Sequence, residues 1–149
     1  MKLKKITDNI EFGTNILDIE VPEHLKKKFK SGLSYVDGAM GGEGFTPSAV
    51  TLFTGTPGAG KTTLMLTMAD AMTKQGAIVL FNTAEESLYQ TAMTAKRLRL
   101  RNGFQAGNSA DVNEIIENAT KMAKKAKKAG QQFVLIVDSL QCLDDEKYS

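Results

Sequence analysis

The segment at residues 55–62, with the sequence GTPGAGKT, restricts the fold of this chain more than any other feature. It fits the pattern G-x-x-x-x-G-K-[ST], in which glycines let backbone N–H groups converge on an anion. An apolar run at residues 49–54 precedes it, and apolar residues at helical spacing follow it from Lys61 to about Lys74. The order of strand, glycine loop and helix predicts a phosphate-binding loop in an α/β fold, because the helix directs the positive end of its dipole at the same point.

A loop of this type predicts a site for a nucleoside triphosphate, ATP with Mg²⁺. Lys61 is expected to contact the β and γ phosphates, and Thr62 to offer its hydroxyl to the magnesium ion. A glycine-rich turn before a helix, without a ligand, is the alternative that the flanking strand and helix argue against. The predicted nucleotide-binding residues are Gly55, Thr56, Pro57, Gly58, Ala59, Gly60, Lys61, Thr62 and Thr63.

A magnesium site also needs an acidic partner, and Asp138 is the candidate. It follows the apolar run at residues 133–137, and open parallel sheets present their ligands at the carboxyl ends of the strands. Its carboxylate is expected to hold the ion through the water shell of the metal. Ser139 beside it is placed to hydrogen-bond to the same water network. The alternative is that Asp138 only caps the next turn.

Two glutamates follow another apolar run, at residues 77–81, and are predicted at the same edge of the sheet. The carboxylate of Glu85 or of Glu86 could position or deprotonate the attacking water. Adjacent side chains point in different directions, so one of them is expected to be catalytic. Two glutamates near a helix start also favour the helix dipole without any chemistry.

The whole pattern alternates strands with helices, which predicts a mainly parallel sheet covered on both faces. Further strands or helices are predicted at residues 16–21 (strand), 22–30 (helix), 87–98 (helix) and 111–130 (helix, with Glu114 as the capping-box partner of Asp111). The glycine-rich residues 38–44 are predicted to form a loop. Residues 100–107 are ambiguous, with a weak strand around Phe104.

Composition limits the class of protein. The 149 residues fit one domain, and 42% hydrophobic and 24% charged residues are typical of a soluble globular chain. The net charge of +2 neither requires nor excludes a nucleic-acid partner. One cysteine excludes an intramolecular disulfide. No run is long enough to span a membrane and the N-terminus lacks a secretory signal, so a cytoplasmic location is predicted.

With these elements placed, the chain resembles the RecA-like ATPase superfamily, and its sequence motifs are most similar to those of the RadA (Sms) branch. The likeness runs from about Ser31 to Leu143. It is carried by Gly32-Leu33 with Asp37, by Glu85-Glu86-Ser87, Gln90 and Arg97-Leu98, and by Asp138-Ser139-Leu140-Gln141, together with the glycine loop. The resemblance implies a three-layer P-loop NTPase fold and makes Glu85 the catalytic glutamate, acting with Lys61. It also implies ATP-driven work on single-stranded DNA, usually by rings or filaments.

The chain departs from that family at three points. It lacks the four-cysteine zinc element of RadA proteins, and Pro47 stands where relatives often carry glycine. It also stops soon after Asp138, so the fold is expected to be incomplete at its C-terminal side. The expected division is an N-terminal extension at residues 1–30 and a partial RecA-like core at residues 31–149.

Other functions and other roles stay open at this stage. A DnaB-type replicative helicase core shares the same ATP site, and a nucleotide-binding assembly or regulatory module would bind without efficient hydrolysis.

Several lysines of one helix face could bind DNA phosphates, but a solvated face is favoured; they are Lys121, Lys124, Lys125, Lys127 and Lys128. The same holds for Arg97, Arg99 and Arg101. We expect Met65, Met68 and Met72 in the core, His24 on the surface, and Cys142 as a small buried apolar residue.

Overall fold

The computed structural model describes residues 10–56 and 59–144 of the chain. Within them, three parallel strands form a sheet in the spatial order β2-β1-β3. The strands are β1 (Ile78–Thr83), β2 (Gln105–Gly107) and β3 (Phe133–Asp138). The register pairs Ile78 with Phe133 and Thr83 with Asp138, so β1 and β3 end together at their carboxyl ends. The predicted α/β class with a parallel sheet is confirmed.

Helices connect and flank these strands. They are α1 (Glu23–Lys26), α2 (Ser34–Ala39), α3 (Lys61–Lys74), α4 (Leu88–Arg97) and α5 (Val112–Lys128), with short 3₁₀ turns at Ile16–Asp18 and Leu140–Cys142. The predicted helices at 61–74 and 87–98 are confirmed, and Ser87 begins α4 with a capping box that includes Gln90. No helix among the described residues is long and apolar enough to cross a membrane.

The core lies between α3 and one face of the sheet. Leu66, Ala69 and Met72 of α3 are almost fully buried, and they pack in one cluster with Val79 and Phe81 of β1. Leu80 lies between those two strand residues and outside that cluster, so it points to the opposite face, which α5 contacts. Helices therefore cover the two faces of β1. Met65 and Met68 are buried in the same cluster, as predicted.

The predicted strand at residues 49–54 is wrong. These residues have no regular secondary structure, and the side chains of Val50 and Leu52 are 96% and 67% exposed. Their composition favours a strand, but a strand forms only where a neighbouring backbone completes its ladder. Strand β3 pairs with β1 along one edge, and no described segment pairs with its other edge. Phe53 nevertheless packs against the core.

Predictions near the N-terminus also need correction. Residues 16–21 contain a 3₁₀ turn rather than a strand, because the Asn15 side chain accepts a hydrogen bond from the Leu17 N–H. The predicted helix at residues 22–30 is limited to α1. Phe29 instead forms an antiparallel bridge with Phe45, which requires extended backbone. Gly44 allows that approach, since a Cβ there would lie 2.1 Å from the Phe29 carbonyl oxygen.

The remaining differences concern boundaries and caps. Helix α2 includes Gly38 and Ala39, so only the later part of the predicted loop at 38–44 is non-helical. The ambiguous residues 100–107 contain the short strand β2, which follows Phe104. Asp111 caps α5 through the Asn113 N–H, but the Glu114 carboxylate accepts from the Ser109 hydroxyl, so the predicted capping box does not form. The domain division at residue 30 stays a prediction.

A buried carboxylate anchors the loop that leads to β2. Asp70 of α3 accepts hydrogen bonds from the Asn102 N–H at 2.9 Å, the Asn102 side-chain amide at 3.0 Å and the Gly103 N–H at 3.0 Å. Burial opposes ionisation of this group, but the hydrogen bonds from Asn102, Gly103 and Arg101 outweigh it and lower the pKa of Asp70 below its ordinary value of 3.8. The contact ties α3 to the edge of the sheet.

Candidate functional site

The glycine loop leads directly into α3. Gly60 has a φ of 86°, in the left-handed region that glycine adopts without strain, and α3 starts at the next residue. A Cβ at Gly55 would lie 3.4 Å from the Lys61 side chain, which is an ordinary van der Waals contact, so the backbone of Gly55 lies beside the lysine. The Ala59 N–H donates to the Thr56 carbonyl at 3.1 Å. Pro57 and Gly58, which the sequence also predicts as phosphate contacts, lie outside the described residues.

The two predicted metal ligands lie in contact. The Thr62 hydroxyl, in the first turn of α3, donates a hydrogen bond to Asp138 Oδ2 at 2.8 Å. Asp138 ends β3 and is 9% exposed. Hydroxyl and carboxylate oxygens suit Mg²⁺, which keeps several waters and takes only one or two protein ligands beside phosphate oxygens. The residues present therefore fit the ion that the loop motif implies.

Glu85 lies at the same edge of the sheet. The Ala84 N–H donates to the Asp138 carbonyl at 2.9 Å, which continues the pairing of β1 with β3 by one residue. The Glu85 side chain then reaches back toward β3, and its Oε1 accepts a hydrogen bond from the Ser139 hydroxyl. Ser139 is next to Asp138 in the sequence, so the carboxylate of Glu85 lies close to the Thr62–Asp138 pair.

Glu86 contributes to this edge of the sheet through hydrogen bonds of its backbone. Its N–H donates to the Thr83 hydroxyl at 3.2 Å, and its carbonyl accepts from the Asn108 side-chain amide at 2.9 Å. The geometry thus separates the two glutamates: the Glu85 carboxylate contacts the end of β3, whereas the Glu86 backbone holds the turn. Of the two candidates for the water-positioning group, this arrangement favours Glu85.

Asn108 is a site residue that the sequence did not reveal. Its side-chain amide donates to the Thr83 carbonyl and to the Glu86 carbonyl, each at 2.9 Å, and so bridges the two ends of the segment that carries Glu85. It follows β2, whose existence the sequence left ambiguous. A polar residue that directly follows a strand, at the carboxyl edge of the sheet, is a candidate site residue. That signal can be used only when the strand itself has been predicted.

A neighbouring pair fixes the loop that carries Asn108. The Asn82 side chain donates to the Ser109 carbonyl at 2.9 Å and accepts from the Ser109 N–H at 3.2 Å. Asn82 is 3% exposed, so this exchange satisfies a buried amide. Gly107 leaves room for it, since a Cβ there would lie 2.9 Å from the Asn82 side-chain oxygen.

The other residues of interest lie away from this edge or differ from expectation. The five lysines of α5 are exposed, as favoured, and Lys121 pairs with Glu117 at 3.3 Å. The three arginines at and after the end of α4 are also exposed. His24 is exposed, as predicted. Cys142 is only half-buried, so the prediction of a buried apolar residue is wrong. Its sulfur lies 3.6 Å from Oε1 of the exposed Glu85 side chain.

A family of known proteins matches most of this chain. The family described as AAA domain matches residues 43–148, a span that contains the glycine loop, Glu85 and Asp138. The chain belongs to the AAA domain family. Curated relatives of this AAA domain are named DNA repair protein RadA. The protein from Haemophilus influenzae is 35% identical over 117 residues, which cover 78% of this chain and 23% of the relative.

Two further RadA proteins give a similar result. The one from Aquifex aeolicus is 33% identical over 133 residues, 89% of this chain and 27% of the relative. The one from Helicobacter pylori is 38% identical over 96 residues, 64% of this chain and 21% of the relative. This AAA domain thus spans about a quarter of the length of the curated relatives it matches. The comparisons confirm the predicted relationship to RadA and support a nucleotide-binding ATPase with a RecA-like P-loop fold.

Proposed function

We propose that this chain binds ATP with Mg²⁺ at residues 55–63 and hydrolyses it with the help of Glu85. The observation that carries the proposal is a pair of contacts at the carboxyl edge of the sheet, beside the start of α3: Thr62 bonds to Asp138, and Glu85 accepts from Ser139, the next residue. These groups come from three separate parts of the sequence. A glycine-rich turn that served only to begin a helix would require neither carboxylate at this point.

Each group has a distinct role in this proposal. Backbone N–H groups at the start of α3 bind phosphate oxygens, and Lys61 neutralises charge on the β and γ phosphates. Thr62 and Asp138 would hold the magnesium ion. The bound ion supplies positive charge that stabilises the phosphate oxygens.

Glu85 acts on the attacking water. Its carboxylate accepts a hydrogen bond from the water and then its proton, while the water oxygen bonds to the γ phosphorus and the bond to the β–γ bridging oxygen breaks. ADP and inorganic phosphate are the products. Lys61 neutralises negative charge that develops on the leaving group, and a bound magnesium ion would add positive charge there.

We further propose that the whole protein uses this ATPase on single-stranded DNA in recombination or repair, as a ring or filament of identical subunits. The similarity to proteins named DNA repair protein RadA supports this reading over a replicative helicase core of the DnaB type. The exposed lysines of α5 offer a basic surface, although Lys121 already pairs with Glu117. Fluorescence anisotropy of the complete protein with labelled single-stranded DNA, with and without ATP, tests this partner. Absence of ATP-dependent binding would contradict the proposal.

The test of the chemistry compares two adjacent substitutions. Phosphate release is measured for the wild type, Glu85→Gln and Glu86→Gln, with nucleotide binding measured in parallel. We expect Glu85→Gln to lower kcat about 100-fold or more while binding is kept, because removal of a positioned general base costs roughly 10²- to 10⁴-fold. Glu86→Gln is the matched control and should retain most of its activity. Equal losses in both variants would overturn the assignment.

A second candidate is a nucleotide-binding module that does not turn over efficiently. One observation favours it: the segment that enters the loop, residues 49–54, has no strand partner among the described residues, so the loop is supported mainly from the side of α3. This candidate predicts equilibrium binding of ATP with no phosphate release above the level of Glu85→Gln. Steady turnover that is lost in Glu85→Gln would exclude it.

A further inference from the structure

Three side chains meet beside the proposed metal site. Glu85 Oε1 accepts the Ser139 hydroxyl, Cys142 Sγ lies 3.6 Å from the same oxygen, and Ser139 Oγ lies 3.8 Å from Cys142 Sγ. Both partners therefore contact Oε1, and Oε2 has no hydrogen-bond partner among the described residues. Glu85 is itself exposed, whereas Ser139 is 9% exposed. An exposed carboxylate is thus restrained by a buried hydroxyl.

The restraint begins in the backbone. The Ala84 N–H bonds to the Asp138 carbonyl, and Asn108 bridges Thr83 and Glu86, so the chain on both sides of Glu85 has a fixed position. The side chain of a glutamate still has three rotatable bonds, and a solvent-exposed one samples several rotamers. The contact with Ser139 removes that freedom. Because Ser139 is bonded to Asp138, it also fixes the distance between the carboxylate and the metal-binding edge.

We propose that Ser139 is a positioning residue for Glu85, assisted by Cys142. Ser139 holds Oε1 so that Oε2 receives the water proton, and Cys142 fills the space behind the contact. The inference rests on the proposed hydrolysis, because Glu85 needs a defined position only if it acts on a water. A misplacement of about 1 Å at such a group costs roughly 100-fold in rate. Neither Ser139 nor Cys142 touches the reacting atoms in this assignment.

The kinetic arm uses Ser139→Ala and Ser139→Thr. Ser139→Ala is expected to lower kcat roughly 10- to 100-fold with little change in KM, since nucleotide binding does not use this hydroxyl. Ser139→Thr keeps the hydroxyl and should retain most of kcat. In a Glu85→Gln background, Ser139→Ala should add little, because the two residues act as one unit. A full additional loss in that background, or an unchanged kcat in Ser139→Ala, would overturn the positioning role.

A second arm tests the contact without turnover. The side-chain carboxyl carbons of glutamate are labelled with ¹³C, and the Glu85 resonance is assigned by its absence in Glu85→Gln. Ser139→Ala should shift the Glu85 resonance and leave that of Glu86 in place, while Cys142→Ala should give a smaller shift. An unmoved Glu85 resonance would overturn the contact. Absence of Glu85-dependent phosphate release would instead overturn the proposed function, and with it the catalytic purpose of the contact, so the two failures are distinguishable.

Discussion

The Thr62 hydroxyl donates a hydrogen bond of 2.8 Å to the Asp138 carboxylate, although 76 positions separate the two residues in the sequence. The contact joins the first turn of α3 to the end of β3. The two proposed magnesium ligands therefore lie side by side. Such preorganisation lowers the cost of assembling the site when nucleotide arrives.

The first prediction concerns this pair. Thr62→Val keeps the shape of the side chain but removes the hydroxyl, so Mg²⁺ should no longer raise the affinity for ATP as it does in the wild type. Titration of a fluorescent ATP analogue, with Mg²⁺ and with EDTA, measures the effect. Thr62→Ser is the matched control and should keep the magnesium dependence. An equal magnesium effect in Thr62→Val and wild type would contradict the assignment of this hydroxyl.

The second prediction distinguishes a specific contact between Lys61 and phosphate from the general effect of removing one positive charge. Lys61→Ala should weaken ATP binding about tenfold or more, because a hydrogen bond to a charged group contributes roughly 1.5–3 kcal/mol and 1.4 kcal/mol is a factor of ten. Lys74→Ala removes the same charge from the exposed C-terminal end of the same helix. Equilibrium binding of the two variants should therefore differ strongly. Similar affinities would count against the phosphate role of Lys61.

Local patterns explain which parts of this fold could be predicted. The glycine loop, α3 and the strands β1 and β3 are each predicted by residues within a few positions of one another, and Asp138 is predicted from its place at the end of the apolar run of β3. The same local reasoning failed at residues 49–54. Their residue types favour a strand, but pairing depends on a neighbour that no nearby residue encodes, and Val50 is 96% exposed.

The finer geometry of the site could not be predicted for a related reason. The contact of Ser139 with Glu85 joins positions 54 apart, and the bonds from Asn108 reach back 25 and 22 positions. Such contacts depend on strand order and register, which a single sequence does not specify. Reasoning from the residues alone left Glu85 and Glu86 as a pair, the family resemblance favoured Glu85, and the structure adds that their contacts differ.

The third prediction tests Asn108 as the clamp of the segment that carries Glu85. Asn108→Ala removes two hydrogen bonds to carbonyl groups, so the free energy of unfolding should fall by about 1–2 kcal/mol. The value of kcat should fall as well, because the turn that positions Glu85 loses its bridge. Asn118→Ala is the control, since its amide bonds to the Glu114 carbonyl at 2.9 Å on the exposed side of α5. If kcat is as high in Asn108→Ala as in Asn118→Ala, the clamp does not serve the site.

The last prediction concerns pH. The pKa of Asp70 is lower in the folded protein than its ordinary value of 3.8, because hydrogen bonds from Asn102 and Gly103 favour the ionised form despite burial. Folding therefore gains stability from this group above about pH 4, and the gain is lost as the pH falls through the folded pKa. Asp70→Asn should be less stable than wild type by about 2 kcal/mol near neutral pH.

The comparison of these two proteins in urea at several pH values checks the sign. The difference in the free energy of unfolding should stay constant from neutral pH to about pH 5 and shrink below about pH 4, where the wild-type carboxyl becomes protonated. Asp111→Asn is the matched control, because asparagine caps a helix as well as aspartate does and α5 should keep its stability. A difference for Asp70→Asn that does not change with pH would show that its effect comes from packing, not from the charge that anchors the loop before β2.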